Sequence, residues 1–179
     1  MDILLELDGS ILLWIQEYLR NDVWNWLWIS ITKLGDAGFI WLTTAILMLF
    51  FKKTRNVGIA ALFSISLCFI ITNLGLKNIV ARPRPYTQIA ELMILTHPEK
   101  SFSFPSGHTA NSFAVALIYF RMLPKRYGIA AVVLAALIGF SRLFIGVHYP
   151  SDVIGGFLVA VFTSSVVHYL YTKNASSNV

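Results

Sequence analysis

Long apolar runs constrain the fold of this chain more than any other feature of its sequence. Three of them have about the 20 residues that an α-helix needs to cross the hydrocarbon core of a bilayer. These runs are Val57 to Leu76, Tyr127 to Val147 and Val153 to Tyr171. Only 13% of the residues are charged, against about 25% in soluble domains. The sequence therefore predicts a helical integral membrane protein and excludes a soluble enzyme.

Two shorter apolar segments complete the predicted helical core. Gly107 to Leu123 begins with polar residues, and Gly38 to Phe51 needs residues before it to cross a bilayer. With the three long runs they predict an all-α, polytopic transmembrane bundle of five spans over residues 36–172. Four tryptophans within residues 1–35 predict one or two helices at the membrane–water interface, because tryptophan favours that boundary. A sixth span there is the alternative, and in both cases residues 1–179 form one domain.

The basic residues indicate the orientation of this bundle. Seven of them fall on one side of a five-span arrangement, and the positive-inside rule makes that side cytoplasmic. These seven are Lys52, Lys53, Arg55, Arg121, Lys125, Arg126 and Lys173. Six lie on the opposite side, and four of those six belong to the polar clusters considered next. The polar loop of residues 78–103 and the short loop of residues 146–151 are therefore expected on the outer face of the plasma membrane.

The net charge of +5 does not indicate a nucleic-acid partner. The basic side chains lie at the ends of apolar segments rather than on one polar face, which is where membrane proteins carry them. The single cysteine, Cys68, excludes an internal disulfide. The chain is expected to contact membrane lipids, and nothing in it indicates a protein partner.

The segment Pro105-Ser106-Gly107-His108 precedes one of the shorter apolar runs. Serine is favoured at a helix N-cap, and glycine lets backbone N–H groups approach an anion closely. The free N–H groups and the dipole at a helix start also attract phosphate. The segment is therefore a candidate phosphate-binding helix start, and an ordinary capped helix start is the alternative.

A histidine and a carboxylate four residues apart mark the turn between the last two apolar runs. His148 precedes Pro150, which is typical of a first helical turn, and Asp152 lies in that turn. Asp152 either favours the helix dipole alone or accepts a hydrogen bond from one imidazole nitrogen and leaves the other free to attack. The neighbouring Arg142 favours a functional over a structural histidine.

Lys77 and Arg84 follow the first long apolar run. The prolines at 83 and 85 predict a stiff, extended segment that can direct a guanidinium group. Arginine suits bidentate contacts to phosphate, and lysine supplies a point charge. Snorkelling of both side chains to the membrane interface is the alternative. Arg82 shares the Arg-Pro pattern but has no assigned role.

Two histidines and one aspartate could instead hold a metal ion. Three nearby cations would repel a divalent metal but suit a phosphate dianion. The sequence therefore predicts a phosphate site that uses neither a metal nor another cofactor.

Together the three stretches resemble the signature of the type 2 phosphatidic acid phosphatase (PAP2) superfamily, which reads K-x6-R-P, P-S-G-H and S-R-x5-H-x3-D. The matching residues are Lys77 with Arg84-Pro85, residues 105–108, and Ser141-Arg142 with His148 and Asp152. Every signature residue is present and in order. The resemblance implies the helical core that the superfamily's lipid and acid phosphatases share.

The resemblance also implies a role for each matching residue. His148 would be the nucleophile that forms a phosphohistidine, and Asp152 would orient it. His108 would be the general acid and would then activate water. The groups that would bind the phosphate are Lys77, Arg84, Ser106, the backbone N–H of Gly107, and Arg142.

The membrane members of this superfamily are lipid phosphatases and diphosphatases. This small chain with its outer-face site is similar to undecaprenyl diphosphate and phosphatidylglycerophosphate phosphatases. We expect hydrolysis of undecaprenyl diphosphate to the monophosphate, with phosphatidylglycerophosphate or phosphatidate as the alternative substrate. A transporter or scaffold that binds phosphorylated lipid without cleaving it is the alternative of another class, and it would not need both histidines.

Overall fold

The computed structural model describes residues 2–176, and every regular element in that range is helical. The α-helices are α1 (Asp2–Leu19), α2 (Asp22–Leu34), α3 (Phe39–Leu49), α4 (Arg55–Phe69), α5 (Lys77–Val80), α6 (Gly107–Met122), α7 (Lys125–Phe144) and α8 (Pro150–Ser176). A π-helical segment, Ile70–Leu76, joins α4 to α5, and 3-10 turns lie at Asp36–Gly38 and Pro85–Thr87. The all-α class predicted from the apolar runs is confirmed.

Helix α6 lies at the centre of the bundle and packs against α4, α7 and α8. Ala110, Ala114 and Ala116 on this helix are completely buried. Small side chains let helix backbones approach closely, and such packing holds membrane helices together where lipid is as apolar as the helices. A Cβ atom on Gly156 of α8 would lie only 2.6 Å from the carbonyl oxygen of Ser106. This close contact joins the first turns of α6 and α8.

Three helical stretches are long and apolar enough to cross a membrane, namely Arg55–Thr87, Lys125–Phe144 and Pro150–Asn174. A fourth is added if α2 and α3, which are bent by 45° at the break between them, form one broken span. Helix α6 has 16 residues, fewer than the roughly 20 that a span needs. Length and composition therefore support three or four spans in the described part of the chain, and the total of five remains a prediction.

Helix α4 continues through the π-helical segment into α5, so the apolar run from Val57 to Leu76 lies within one helical stretch, as predicted. A π-turn inserts one residue into a helix and frequently occurs at functional sites. Here it directly precedes Lys77, whose side chain is buried. Asn73 of the same segment lines the cavity described below.

The N-terminal helix α1 packs against α7 and α8. Leu12 is buried in this contact, whereas Trp14 is exposed. The Arg20 guanidinium donates to the carbonyl oxygens of Phe144 at 2.9 Å and Met93 at 2.6 Å. Helix α1 is thus fastened to the end of α7 and to the long loop, while the interfacial position of residues 1–35 remains a prediction.

Candidate active site

Three cations converge around one carboxylate at one end of the bundle. Arg84 Nη2 lies 2.5 Å from Glu99 Oε2, and Arg142 Nη2 donates to Glu99 Oε1. Lys77 Nζ and Arg84 Nη2 both donate to Ser101 Oγ, at 3.0 and 3.1 Å. The three basic residues are only 3 to 7% exposed. We call Lys77, Arg84 and Arg142 the cationic cradle.

Glu99 belongs to the long loop and fills the cationic cradle as an anion. Burial alone would raise the pKa of its carboxyl group, but Arg142 and Arg84 outweigh burial and lower the pKa to about 2. The carboxylate is therefore ionised at neutral pH, with one oxygen bonded to each guanidinium. Since guanidinium groups bind carboxylates and phosphates with the same fork of donors, the cradle can hold a phosphate where Glu99 now lies.

His148 lies beside the cationic cradle in the turn between α7 and α8, and it is buried. Its Nε2 is 3.3 Å from Arg84 Nη1, and its Nδ1 is 3.4 Å from Asp152 Oδ2. Arginine can only donate and an ionised carboxylate can only accept, so Nδ1 carries the proton and Nε2 keeps its lone pair. Burial, opposed by the bond to Asp152, lowers the pKa of His148 to about 3. The imidazole is therefore neutral, and its unprotonated Nε2 faces Arg84 of the cationic cradle.

Local sequence builds the turn that holds His148. Helix α7 ends at Phe144, and Gly146 adopts φ +81°, a left-handed conformation that glycine takes without steric strain. The carbonyl oxygen of Val147 accepts from Arg84 Nη1 at 2.9 Å. Helix α8 then begins at Pro150, which confirms the predicted first helical turn.

His108 lies in the first turn of α6, and its Nε2 is 2.9 Å from Asp36 Oδ1 in the break between α2 and α3. A cavity of about 180 Å³ is lined by residues of this break, of the first turns of α6, and by Lys77 of the cationic cradle. The polar residues that line the cavity are Asn73, Lys77, Glu99, His108, Asn111 and His148. Both histidines named by the sequence therefore face one space.

Ser106 is the N-cap of α6, as predicted, and its Oγ accepts from the Thr109 backbone N–H at 3.4 Å. The Ser106 backbone N–H donates to the carbonyl oxygen of Asp152 at 3.0 Å, which joins the second and third sequence stretches. Gly107 lines the cavity, and a Cβ atom there would lie 3.9 Å from Lys77 Nζ. All three sequence stretches thus meet at one place.

Several polar residues of the site were not found from the sequence. Ser103 Oγ donates to Asp152 Oδ2 at 2.5 Å, Asp36 pairs with His108, and Glu99 fills the cationic cradle. Each is a single polar residue in a loop or a helix break, with no spacing that sets it apart. The only signal was the polar character of residues 78–103, which placed two of them near the site. Within residues 2–176, no group of three or more His, Cys, Asp or Glu side chains is arranged to hold a metal ion.

Residues 57–176 match the sequence model of the PAP2 superfamily. The chain belongs to the PAP2 superfamily. This PAP2 protein is 30% identical over 140 residues to the undecaprenyl-diphosphatase of Sulfolobus acidocaldarius, and the match covers 78% of this chain and 67% of the relative. It is 36% identical over 152 residues to phosphatidylglycerophosphatase B of Bacillus subtilis, over 78% of this chain and 71% of the relative.

A solved structure extends the match to the fold. The PAP2 protein superposes on the crystal structure of a transmembrane PAP2 type phosphatidylglycerolphosphate phosphatase from Bacillus subtilis with a TM-score of 0.80 and 29% identity. The superposition covers 97% of this chain and 88% of that one. The protein is therefore a membrane-embedded enzyme of the PAP2 lipid phosphatase family. Its relatives are named for different head groups, so membership alone does not fix the substrate.

Proposed function

We propose that this PAP2 protein hydrolyses undecaprenyl diphosphate to undecaprenyl phosphate and inorganic phosphate. The observation that carries the proposal is the neutral imidazole of His148, whose unprotonated Nε2 contacts Arg84 of the cationic cradle. A protein that only bound phosphorylated lipid would need the cations but no nucleophile beside them. The relative named undecaprenyl-diphosphatase supports the diphosphate head group.

In the first step, Nε2 of His148 attacks the terminal phosphorus of the diphosphate. A P–N bond forms as the bond from that phosphorus to the bridging oxygen breaks, and His108 gives a proton to the leaving oxygen. The products are a phosphohistidine and undecaprenyl phosphate. Asp152, which faces Nδ1, orients the ring and stabilises the positive charge that develops on it.

In the second step, water attacks the phosphorus of the phosphohistidine. His108 accepts a proton from this water, the P–N bond breaks, and inorganic phosphate leaves. In both steps the cationic cradle, Ser106 and the Gly107 backbone N–H stabilise the charge on the transferred phosphoryl oxygens. The phosphate takes the place of Glu99, whose carboxylate occupies the cradle without substrate.

An apolar groove beside the cavity supports a lipid substrate. The groove measures about 310 Å³ and is lined by Leu42, Ile65, Phe69 and Ile70 among others. It shares Ala37, Phe69 and Asn111 with the polar cavity, so the two spaces are adjacent. In the proposed complex the head group fills the cavity, and the chain lies in the groove between α3 and α4.

Phosphatidylglycerophosphate is the second candidate substrate. The 36% identity to the Bacillus subtilis phosphatidylglycerophosphatase B and the TM-score of 0.80 favour it. Both lipids present a terminal phosphate on an apolar anchor, so both satisfy the cationic cradle and the groove. They differ in the group that leaves, which is a lipid phosphate in one case and an alcohol in the other.

Phosphate release in detergent tests the proposal. The parent protein, His148→Ala and His97→Ala are compared on undecaprenyl diphosphate, phosphatidylglycerophosphate and phosphatidate, with the exposed loop residue His97 as the matched control. We expect the parent and His97→Ala to release phosphate, fastest from undecaprenyl diphosphate, and His148→Ala to release none. Substrate labelled with phosphorus-32 should leave an acid-labile, alkali-stable label on the parent and none on His148→Ala.

Each other outcome points to a different assignment. Faster release from phosphatidylglycerophosphate makes that lipid the substrate. Equal release by His148→Ala rejects this residue as the nucleophile. Lipid binding without phosphate release from any of the three lipids makes the protein a non-hydrolytic binder.

The same proposal includes five spans with the site on the outer face of the plasma membrane. It is supported by the seven basic residues expected on the opposite side. A membrane-impermeant thiol reagent tests it in intact cells, because Cys68 is buried. Cysteine at the exposed position Gln88 should be labelled in intact cells, and cysteine at the exposed position Lys53 only after permeabilisation. The reverse pattern would overturn the orientation.

A further inference from the structure

Arg82 and Asp8 belong to a second charged cluster, which the proposed mechanism does not use. Asp8 lies on α1, is buried, and precedes the residues that match the PAP2 superfamily. Its carboxylate accepts from the Ser151 backbone N–H at 3.0 Å, from Ser151 Oγ, and from Arg82 Nη2 at 2.8 Å. A buried carboxylate with this many donors is well compensated. Helix α1 is thereby fastened to the first turn of α8.

Arg82 connects Asp8 to Asp152. Its Nη1 donates to Asp152 Oδ1 and to Ser151 Oγ, both at 2.7 Å. Its guanidinium carbon lies 3.9 Å from the centroid of the Tyr149 ring, a cation–π contact that holds the guanidinium against this ring. Arg82 therefore serves the carboxylate of Asp152 rather than the cationic cradle.

These contacts give the two oxygens of Asp152 separate partners. Oδ1 accepts from Arg82, whereas Oδ2 accepts from Ser103 Oγ at 2.5 Å and from the Tyr149 backbone N–H at 2.9 Å. Oδ2 also faces His148 Nδ1 at 3.4 Å. The Asp152 side chain is 0% exposed, so water cannot replace a lost donor. Without Arg82, Oδ1 would have no charged partner and the carboxylate could rotate away from the imidazole.

We propose that Arg82 is a positioning residue for phosphoryl transfer, that it acts on His148 through Asp152, and that Asp8 of the N-terminal helix holds it in place. This rests on the proposed function, because it takes His148 as the nucleophile. The site then extends beyond the family signature to a helix that lies outside the family match.

Kinetics of Arg82→Gln, Asp8→Asn and the double variant separate positioning from simple anchoring. Arg82→Gln should lower kcat on the order of 10- to 100-fold, the effect of losing a hydrogen bond to a charged group. KM and the inhibition constant of inorganic phosphate should stay at the parent values, since the cationic cradle is intact. Asp8→Asn should cause a smaller loss and no further loss in the Arg82→Gln background, because it acts through Arg82.

Glu6→Gln is the matched control, because Glu6 is an exposed carboxylate on the same helix as Asp8. It should leave kcat, KM and the thermal midpoint unchanged. Inhibition by inorganic phosphate shows that each variant is folded with a working cradle. An ion pair that only anchors α1 would lower the thermal midpoint and leave kcat of the folded variants unchanged, which overturns the proposal. Equal losses from Asp8→Asn in both backgrounds reject Asp8 as the tether.

Nitrogen-15 NMR of labelled histidines in detergent tests the same contact without hydrolysis. The parent and Glu6→Gln should show His148 with its proton on Nδ1, and Arg82→Gln should shift this signal towards the other tautomer or broaden it. An unchanged signal in Arg82→Gln contradicts the positioning role. If the parent gives the expected signals but releases no phosphate, the proposed function fails while the contact stands. If the parent releases phosphate and Arg82→Gln keeps its kcat, only the role of Arg82 fails.

Discussion

The two faces of His148 differ in charge. On the Nε2 side, the three cations of the cationic cradle surround one carboxylate, which leaves an excess of two positive charges. On the Nδ1 side, Arg82 lies between Asp8 and Asp152, which leaves an excess of one negative charge. The Nε2 face therefore attracts a phosphate dianion, and in the proposed mechanism the Nδ1 face stabilises the positive charge that develops on the ring.

The two faces also differ in how firmly their anions are held. The Glu99 side chain is 30% exposed and sits on a loop, so a phosphate can take its place. The Asp152 side chain is fully buried on a helix and receives donors on both oxygens. In the proposed mechanism, phosphate replaces Glu99 on the Nε2 side of His148, whereas Asp152 stays in place on the Nδ1 side. Changes on the Nε2 side should alter KM, and also kcat where the residue contacts Nε2, whereas changes on the Nδ1 side should alter kcat alone.

Among the residues that surround His148, the largest effect should come from removing a cation of the cationic cradle. Arg84→Gln should lower kcat/KM by about 10²- to 10³-fold, the usual cost of losing a group that stabilises transition-state charge. Arg84 also contacts Nε2, so both KM and kcat should change. Arg126→Gln, an exposed arginine expected on the cytoplasmic side, is the control and should match the parent. A loss below tenfold in Arg84→Gln would mean that the cradle does not dominate catalysis.

The neutral state of His148 should appear as a pH dependence of stability. Because burial lowers its pKa to about 3 in the folded protein, only the unfolded chain binds a proton there as the pH falls below about 6.5. The stability that this residue contributes is present above pH 6.5 and lost between pH 6.5 and 3, by at most about 1.4 kcal/mol per pH unit. The thermal midpoint of the parent in detergent should fall more steeply from pH 6.5 to 5 than that of His148→Gln.

Glu99 supplies the control for this measurement. Its pKa of about 2 lies below the ordinary value, so its contribution is lost only as the pH falls from about 4.5 towards 2. Glu99→Gln should therefore keep the steep slope of the parent above pH 5. Identical slopes in the parent and in His148→Gln would show that His148 is not buried in its neutral form.

A smaller effect should come from clearing the cationic cradle of its own carboxylate. Glu99→Gln removes an anion that competes with phosphate for Arg84 and Arg142. KM should fall by about tenfold, as expected for a charged hydrogen bond, while kcat changes little. Glu91→Gln, an exposed carboxylate of the same loop, is the control. A higher KM in Glu99→Gln would instead make Glu99 part of the substrate-binding surface.

The same contrast explains what could be predicted from the sequence. The cationic cradle and His148 were found because ionisable side chains beside apolar runs stand out, and because their spacing matched a family signature. The helices were found because each apolar run is continuous. Helix α6 was harder to judge, since it is shorter than a span and buried by its neighbours rather than by lipid. Its contacts depend on the tertiary packing of alanine and glycine, which no local pattern reports.

The supporting carboxylates could not be found in this way. Asp8 and Asp36 look like ordinary polar residues at the start of a chain and at a helix break, and their partners are more than 70 residues away in sequence. Glu99 is one polar residue among many in its loop. The role of such residues can be recognised only when the fold places them against an arginine or a histidine. Sequence periodicity therefore predicts the elements, while charge compensation inside the site has to be read from the structure.

The smallest expected kinetic effects come from replacing two serines of the long loop. Ser103 Oγ donates to Asp152 Oδ2 on the Nδ1 side of His148. Asp152 keeps its bonds to Arg82 and to the Tyr149 backbone N–H when this serine is replaced. Ser103→Ala should therefore lower kcat only severalfold, less than the usual cost of losing a hydrogen bond to a charged group, because these two donors remain, and it should leave KM unchanged.

Ser101 is only two residues away from Ser103 but contacts residues on the Nε2 side of His148. Its Oγ accepts from both Lys77 and Arg84 of the cationic cradle. Ser101→Ala should raise KM severalfold, because it removes an acceptor that positions both cations, with kcat near the parent value. Steady-state kinetics of both variants on one lipid would measure the difference. If one face of His148 serves substrate binding and the other serves catalysis, Ser101→Ala should change KM and Ser103→Ala should change kcat. A change in the same kinetic parameter in both variants would show that the two faces do not act separately.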